Sequence, residues 1–117
     1  MAAAPDRLSA GSRTLIESTD NELYLSAASA WEISIKHALG KLRLPEDPAR
    51  YVPTRLEALR MMPLAVEIGH ALHAGALPAH HRDPFDRLLI AQAFIEDLPI
   101  LTSDRAFQAY GVPTIQA

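Results

Sequence analysis

Short apolar runs alternate with stripes of helical period along most of the chain. Ser9 to Ser18 reads as a short helix, and Asn21-Glu22 turns into Leu23-Tyr24-Leu25, an apolar run of strand character. From Ala28 the spacing i, i+3, i+7, i+11 selects Ala28, Trp31, Ile35 and Leu39, which predicts a helix with Trp31 in the core. Gly40 stands where its C-terminal cap belongs. Lys41 to Pro48 is a polar connector, Ala49 to Met61 is helical, and Met62 to Val66 is a strand that Pro63 delays or confines to an edge. Glu67 to Ala76 is an alanine-rich helix. Phe85 to Ile95 carries apolar residues on nearly every side, so that helix must be covered on more than one face. Pro99 to Thr102 is a further strand candidate, Ser103-Asp104 caps a short helix through Tyr110, and Val112 to Ile115 is the last strand candidate.

Strands alternating with helices imply an α/β fold whose sheet is mainly parallel. In such sheets functional groups collect at the carboxyl ends of the strands. Three acids fall there: Glu32 in the helix after the first apolar run, Asp86 in the first turn after Asp83-Pro84, and Asp104 just past Thr102. Asp83 followed by Pro84 is itself a strong helix start, since Asp accepts from free backbone N–H groups and Pro forfeits none that is needed. Asp83 and Asp104 therefore each fit a helix cap as well as a ligand. Glu32 is less ordinary, because a carboxylate among Trp31, Ile35 and Leu39 must be paired, protonated or bound to a cation.

Composition narrows the class. The 117 residues suit one domain, 1–117, and an apolar share of 49% excludes a disordered chain. Fourteen acidic against eleven basic residues give a net charge of −3, which excludes nucleic-acid binding through a broadly basic surface. A carboxylate site can still meet phosphate through a bound cation. Without cysteine there is no disulfide, thiolate nucleophile or zinc–sulfur site. No apolar run reaches the roughly 20 residues of a membrane span, and the first residues lack the pattern of a secretion signal, so a cytoplasmic protein is expected. Three converging acids would suit Mg²⁺ or Mn²⁺, which prefer carboxylate and water oxygens, and such a site can hydrolyse phosphodiesters. His80 and His81 read as a solvated or hydrogen-bonded loop pair, and Lys36, Lys41, Arg43, Arg82, Arg87 and Arg105 as solvated cations unless a polyanion binds them.

The run Asn21 to Ile33, the connector Gly40-Lys41-Leu42-Arg43-Leu44-Pro45, the motif His80-His81-Arg82-Asp83-Pro84-Phe85-Asp86-Arg87-Leu88-Leu89-Ile90-Ala91-Gln92-Ala93 and the tail Leu101 to Phe107 together resemble PIN-domain proteins of the VapC toxin type. The resemblance implies a three-layer α/β/α fold, a homodimer, and Mg²⁺- or Mn²⁺-dependent cleavage of RNA restrained by a VapB-type antitoxin. It puts the family's catalytic, metal-holding acids on Glu32, Asp86 and Asp104, with Thr102 and Asp83 as further candidates. It also implies a departure. Family members begin with an apolar strand ending in an aspartate, followed by a helix, and Met1-Ala2-Ala3-Ala4-Pro5 matches neither. The expectation is an N-terminally truncated domain whose first central strand is missing, leaving three acids rather than four. The alternative to a ribonuclease is then an impaired remnant that only binds an antitoxin or another partner.

Overall fold

The computed structural model describes residues 2–3, 22–78, 83–102, 110–111 and 114–116, and for 2–3, 101–102 and 114–116 the backbone alone. Five strands form one sheet: β1 (Ala2–Ala3), β2 (Leu23–Ser26), β3 (Met61–Leu64), β4 (Ile100–Thr102) and β5 (Thr114–Gln116). Their spatial order is β3-β2-β1-β4-β5, and every pairing is parallel. The centre is not open. Ala2 pairs with Tyr24 on one side and Ile100 on the other, and Ala3 with Leu101, so two alanines fill the slot where a gap was expected. Two alanines carry no strand signature of their own, and their pairing comes from neighbours on both flanks.

Among the described residues, four helices lie between β2 and β4: α1 (Ala27–Ala38), α2 (Pro48–Leu59), α3 (Ile68–Ala76) and α4 (Pro84–Glu96). None of the described helices is long and apolar enough to cross a membrane. Each start has a local cause. The buried Ser26 hydroxyl accepts from Ala28 N at 3.1 Å, and Asp47 Oδ1 accepts from Ala49 N at 3.1 Å, so α2 begins one residue earlier than expected, with Pro48 at its first position. Glu67 and His70 form a capping box, in which His70 Nδ1 accepts from Glu67 N at 2.9 Å. That leaves Nε2 as the donor to Glu96 Oε1 at 3.0 Å, which ties α3 to α4.

The ends are as local. After α1, Gly40 takes φ +73°, as expected of a cap glycine. Arg60 (φ 55°) and Asp97 (φ 54°) close α2 and α4 in the left-handed region and turn the chain into β3 and β4. β3 lies at the edge of the sheet, which is where Pro63 is tolerated.

α4 is the centre of the core. Leu89, Ile90, Ala91, Gln92 and Ala93 are all buried, and Leu89, Ile90 and Ala93 pack with Ile100 and Tyr110. Covering on several faces explains its lack of a polar stripe, since α3, α1 and β4 all pack against it. Gln92 is fully buried and donates to Ala65 O at 3.1 Å, which fixes the segment leaving β3. The proposed helices at Ser9 to Ser18 and after Asp104 lie outside the described residues.

Candidate functional site

The first turn of α4 sets the geometry. Asp83 Oδ1 accepts from Phe85 N at 2.9 Å and Asp86 N at 3.2 Å, so Asp83 is the helix cap that its sequence context suggests. This cap holds Asp86, which is buried at 2% exposure beside the positive end of the helix dipole. α1 packs against α4 and carries Glu32, buried at 8%. The two buried acids thus stand on two helices in contact.

The face that α1 turns inward is not the expected one. Trp31 is 61% exposed and Leu39 63%, whereas Ala28, Ser29 and Glu32 are buried. Reading apolarity alone aimed the helix at Trp31. The small Ser29 and the carboxylate of Glu32 occupy the inner side instead, so the helix is rotated by about one position.

Glu32 is ion-paired with Lys36, Nζ to Oε2 at 3.3 Å, across one helical turn. Lys36 is therefore part of the site rather than a solvated cation, and the Glu–Lys spacing of four is the sequence signal that could have found it. An open groove of about 420 Å³ runs past these groups, lined by Glu32, Ile35, Lys36, Leu39, Lys41, Asp83, Pro84 and Phe85. Trp31 meets Phe85 edge to face, with ring centroids 5.2 Å apart and planes at 76°.

Arg87 also departs from the solvated reading. Its Nη2 donates to Ala74 O and Leu77 O, both at 2.9 Å, and its Nη1 to Pro78 O at 3.1 Å. Tyr110 Oη donates to the same Pro78 carbonyl at 2.9 Å. The end of α3 and the entry to the loop before Asp83 are fastened by these two side chains.

Thr102 is the last residue of β4, with its backbone alone described. Asp104, His80 and His81 lie outside the described residues, and among the described residues no group of three or more His, Cys, Asp or Glu is assembled that could hold a metal ion. Glu32 and Asp86 supply the oxygen donors that hard divalent cations prefer, so the described donor set fits Mg²⁺ or Mn²⁺ in kind.

Comparison with known proteins agrees with this architecture. The PIN domain family model matches residues 2–113. Ribonuclease VapC16 of Mycobacterium tuberculosis is 45% identical over 64 residues, a match covering 55% of this chain and 45% of that protein, so the chain aligns with somewhat under half the length of this relative. The structure of FitAB bound to IR36 DNA fragment has a TM-score of 0.62 at 18% identity, covering 99% of this chain and 94% of the other. FitAcB from Neisseria gonorrhoeae gives 0.61 at 21% identity, covering 99% and 97%. At that identity these two likenesses speak to the fold. The family match over nearly the whole chain, together with the parallel sheet, places it: this chain belongs to the PIN domain family.

Proposed function

We propose that the protein is a metal-dependent ribonuclease of a toxin–antitoxin pair, cleaving RNA phosphodiester bonds in the cytoplasm and neutralised by a VapB-type antitoxin. The observation that carries this reading is the pair of buried carboxylates, Glu32 and Asp86, on two helices packed together beside an open groove. Buried acids are costly to keep without a compensating charge, and a site evolved for a divalent cation is a common reason to keep them.

Glu32 and Asp86 would hold Mg²⁺ or Mn²⁺, with Asp104 as the third acid, Thr102 beside it, and Asp83 contributing through its hold on Asp86. The cation supplies charge neutralisation on the phosphate and a more acidic water. The chain's own part is positioning. The Asp83 cap fixes the Asp86 backbone, the packing of α1 on α4 holds Glu32 to one side of the groove, and Lys36 offsets negative charge there until a cation does so. A homodimer is the proposed assembly.

Purified protein incubated with Mn²⁺ and a structured RNA should cleave it. Glu32→Gln and Asp86→Asn should each slow cleavage roughly 100-fold, the scale of losing one strong electrostatic group at a reacting phosphate. Mn²⁺ alone should raise the melting temperature of the wild type and not of either variant. Equal cleavage by wild type and Glu32→Gln would sink the assignment. Antitoxin binding by a wild-type protein that neither cleaves RNA nor responds to Mn²⁺ would replace it with the binding-module reading.

A further inference from the structure

We infer that Trp31 is a stacking platform for a nucleobase of a single-stranded RNA, with Lys36 and Lys41 meeting the adjoining phosphates. This inference rests on the ribonuclease reading and assigns the groove its occupant. Two observations and one principle carry it. The indole is 61% exposed although Phe85 packs against it in a T-shaped contact. A large aromatic side chain left in water beside a site is costly unless something covers it. Phe85 also lines the groove that holds Glu32 and both lysines, so the aromatic surface and the cations belong to one continuous feature.

Charge complementarity selects the occupant. The chain is net acidic at −3, yet two lysines line this groove, with Leu39 between them in sequence and Ile35 just before Lys36. Cations beside an exposed aromatic ring match a strand that presents a phosphate and a flat base at each step. Lys36 sits against Glu32 and shields an approaching phosphate from that carboxylate, while the base itself carries no charge for Asp83 to repel. A wholly apolar peptide would leave Lys36 and Lys41 facing it without counter-charge.

The chain has one tryptophan, so its intrinsic fluorescence reports on Trp31 alone. In EDTA, which suppresses metal-dependent cleavage, titration with a ten-nucleotide mixed-sequence oligoribonucleotide should quench that fluorescence. An abasic phosphodiester chain of the same length should quench it little. With a labelled oligonucleotide, Trp31→Phe should bind within about threefold of wild type and Trp31→Leu about tenfold more weakly. Lys41→Met should reduce the salt slope of binding by about one. Because Trp31 is on the surface, all three variants should melt near the wild-type temperature.

Fluorescence that does not move with RNA, together with equal affinity of Trp31→Leu, would overturn the platform while leaving cleavage intact. A fluorescence change given by a purified protein partner and by no RNA would overturn it in favour of a protein contact. Quenching by RNA in a protein that never cleaves would uphold the platform and sink the nuclease, so the two readings fail separately.

Discussion

Asp83 shows how one side chain can look like a ligand and work as a cap. Its Oδ1 serves two backbone N–H groups, one of them belonging to Asp86, so its first task is to start α4 and aim the next acid. The two roles separate by substitution. Asp83→Asn keeps a capping oxygen and removes the charge, so it should hold the melting temperature within about 1 °C and keep most of the cleavage rate. Asp83→Ala removes the cap and should cost about 1 kcal/mol, roughly 4 °C in Tm, with a fall in activity that follows from a loosened Asp86. An Asp83→Asn variant as stable as wild type but as inactive as Asp86→Asn would make Asp83 a ligand. This residue was legible because Asp-Pro before an apolar run has one strong physical meaning. Glu32 was legible for a different reason: a carboxylate among apolar neighbours demands an account wherever the helix points. Arg60 and Asp97 were not legible, since the left-handed conformation there is imposed by the turn into a strand on residues that do not prefer it.

At the scale of elements, the described strands and helices lie close to where alternating runs and stripes predict, apart from β1 and from α2, which starts one residue early and ends at Leu59, so that Met61, expected to be helical, opens β3 and the strand closes at Leu64. What the pattern could not reach was the orientation of α1 and the use of Arg87. Periodicity weighs apolarity, so a helix that turns a serine and a glutamate inward is read about one position out of true. Arg87 was read as solvated because its partners are carbonyls 9 to 13 residues earlier, in another element, and no local spacing announces them. Its planar fork reaches Ala74, Leu77 and Pro78 together, at the negative end of α3, where the helix dipole also favours a cation. Arg87→Met should lower unfolding free energy by about 1.5–3 kcal/mol, the range for hydrogen bonds from a charged donor. Arg87→Lys should recover little of it, because a single ammonium cannot span three carbonyls in that geometry. Urea denaturation measures the loss, and hydrogen exchange should show it concentrated at the C-terminal turn of α3. A loss below 0.5 kcal/mol would mean that water replaces the arginine at those carbonyls.

The whole molecule depends on how its two pairs of strands are joined. β3 and β2 form one side, β4 and β5 the other, and the described link between them is Ala2–Ala3. Burial of backbone groups at the centre of a parallel sheet makes that link obligatory, because unpaired N–H and C=O groups there would face no water. Length hid it from the sequence: a strand of two residues has no alternation to read, and alanine carries little strand preference. The contrast between centre and edge supplies the test. Pro63 sits in β3, where one flank has no partner strand and the missing N–H costs the sheet little. Ala3→Pro puts the same ring in the strand paired on both flanks, removing a ladder donor and crowding its neighbours. The expected result is a loss of about 3 kcal/mol and faster amide exchange in β2 and β4 together, while α3 keeps its protection. Such a pattern means that one short strand couples the side of the sheet bearing Glu32's helix to the side bearing Thr102. Unchanged exchange in both strands after Ala3→Pro would mean that the two sides hold together through α4 alone, which packs against α1 on one side and β4 on the other.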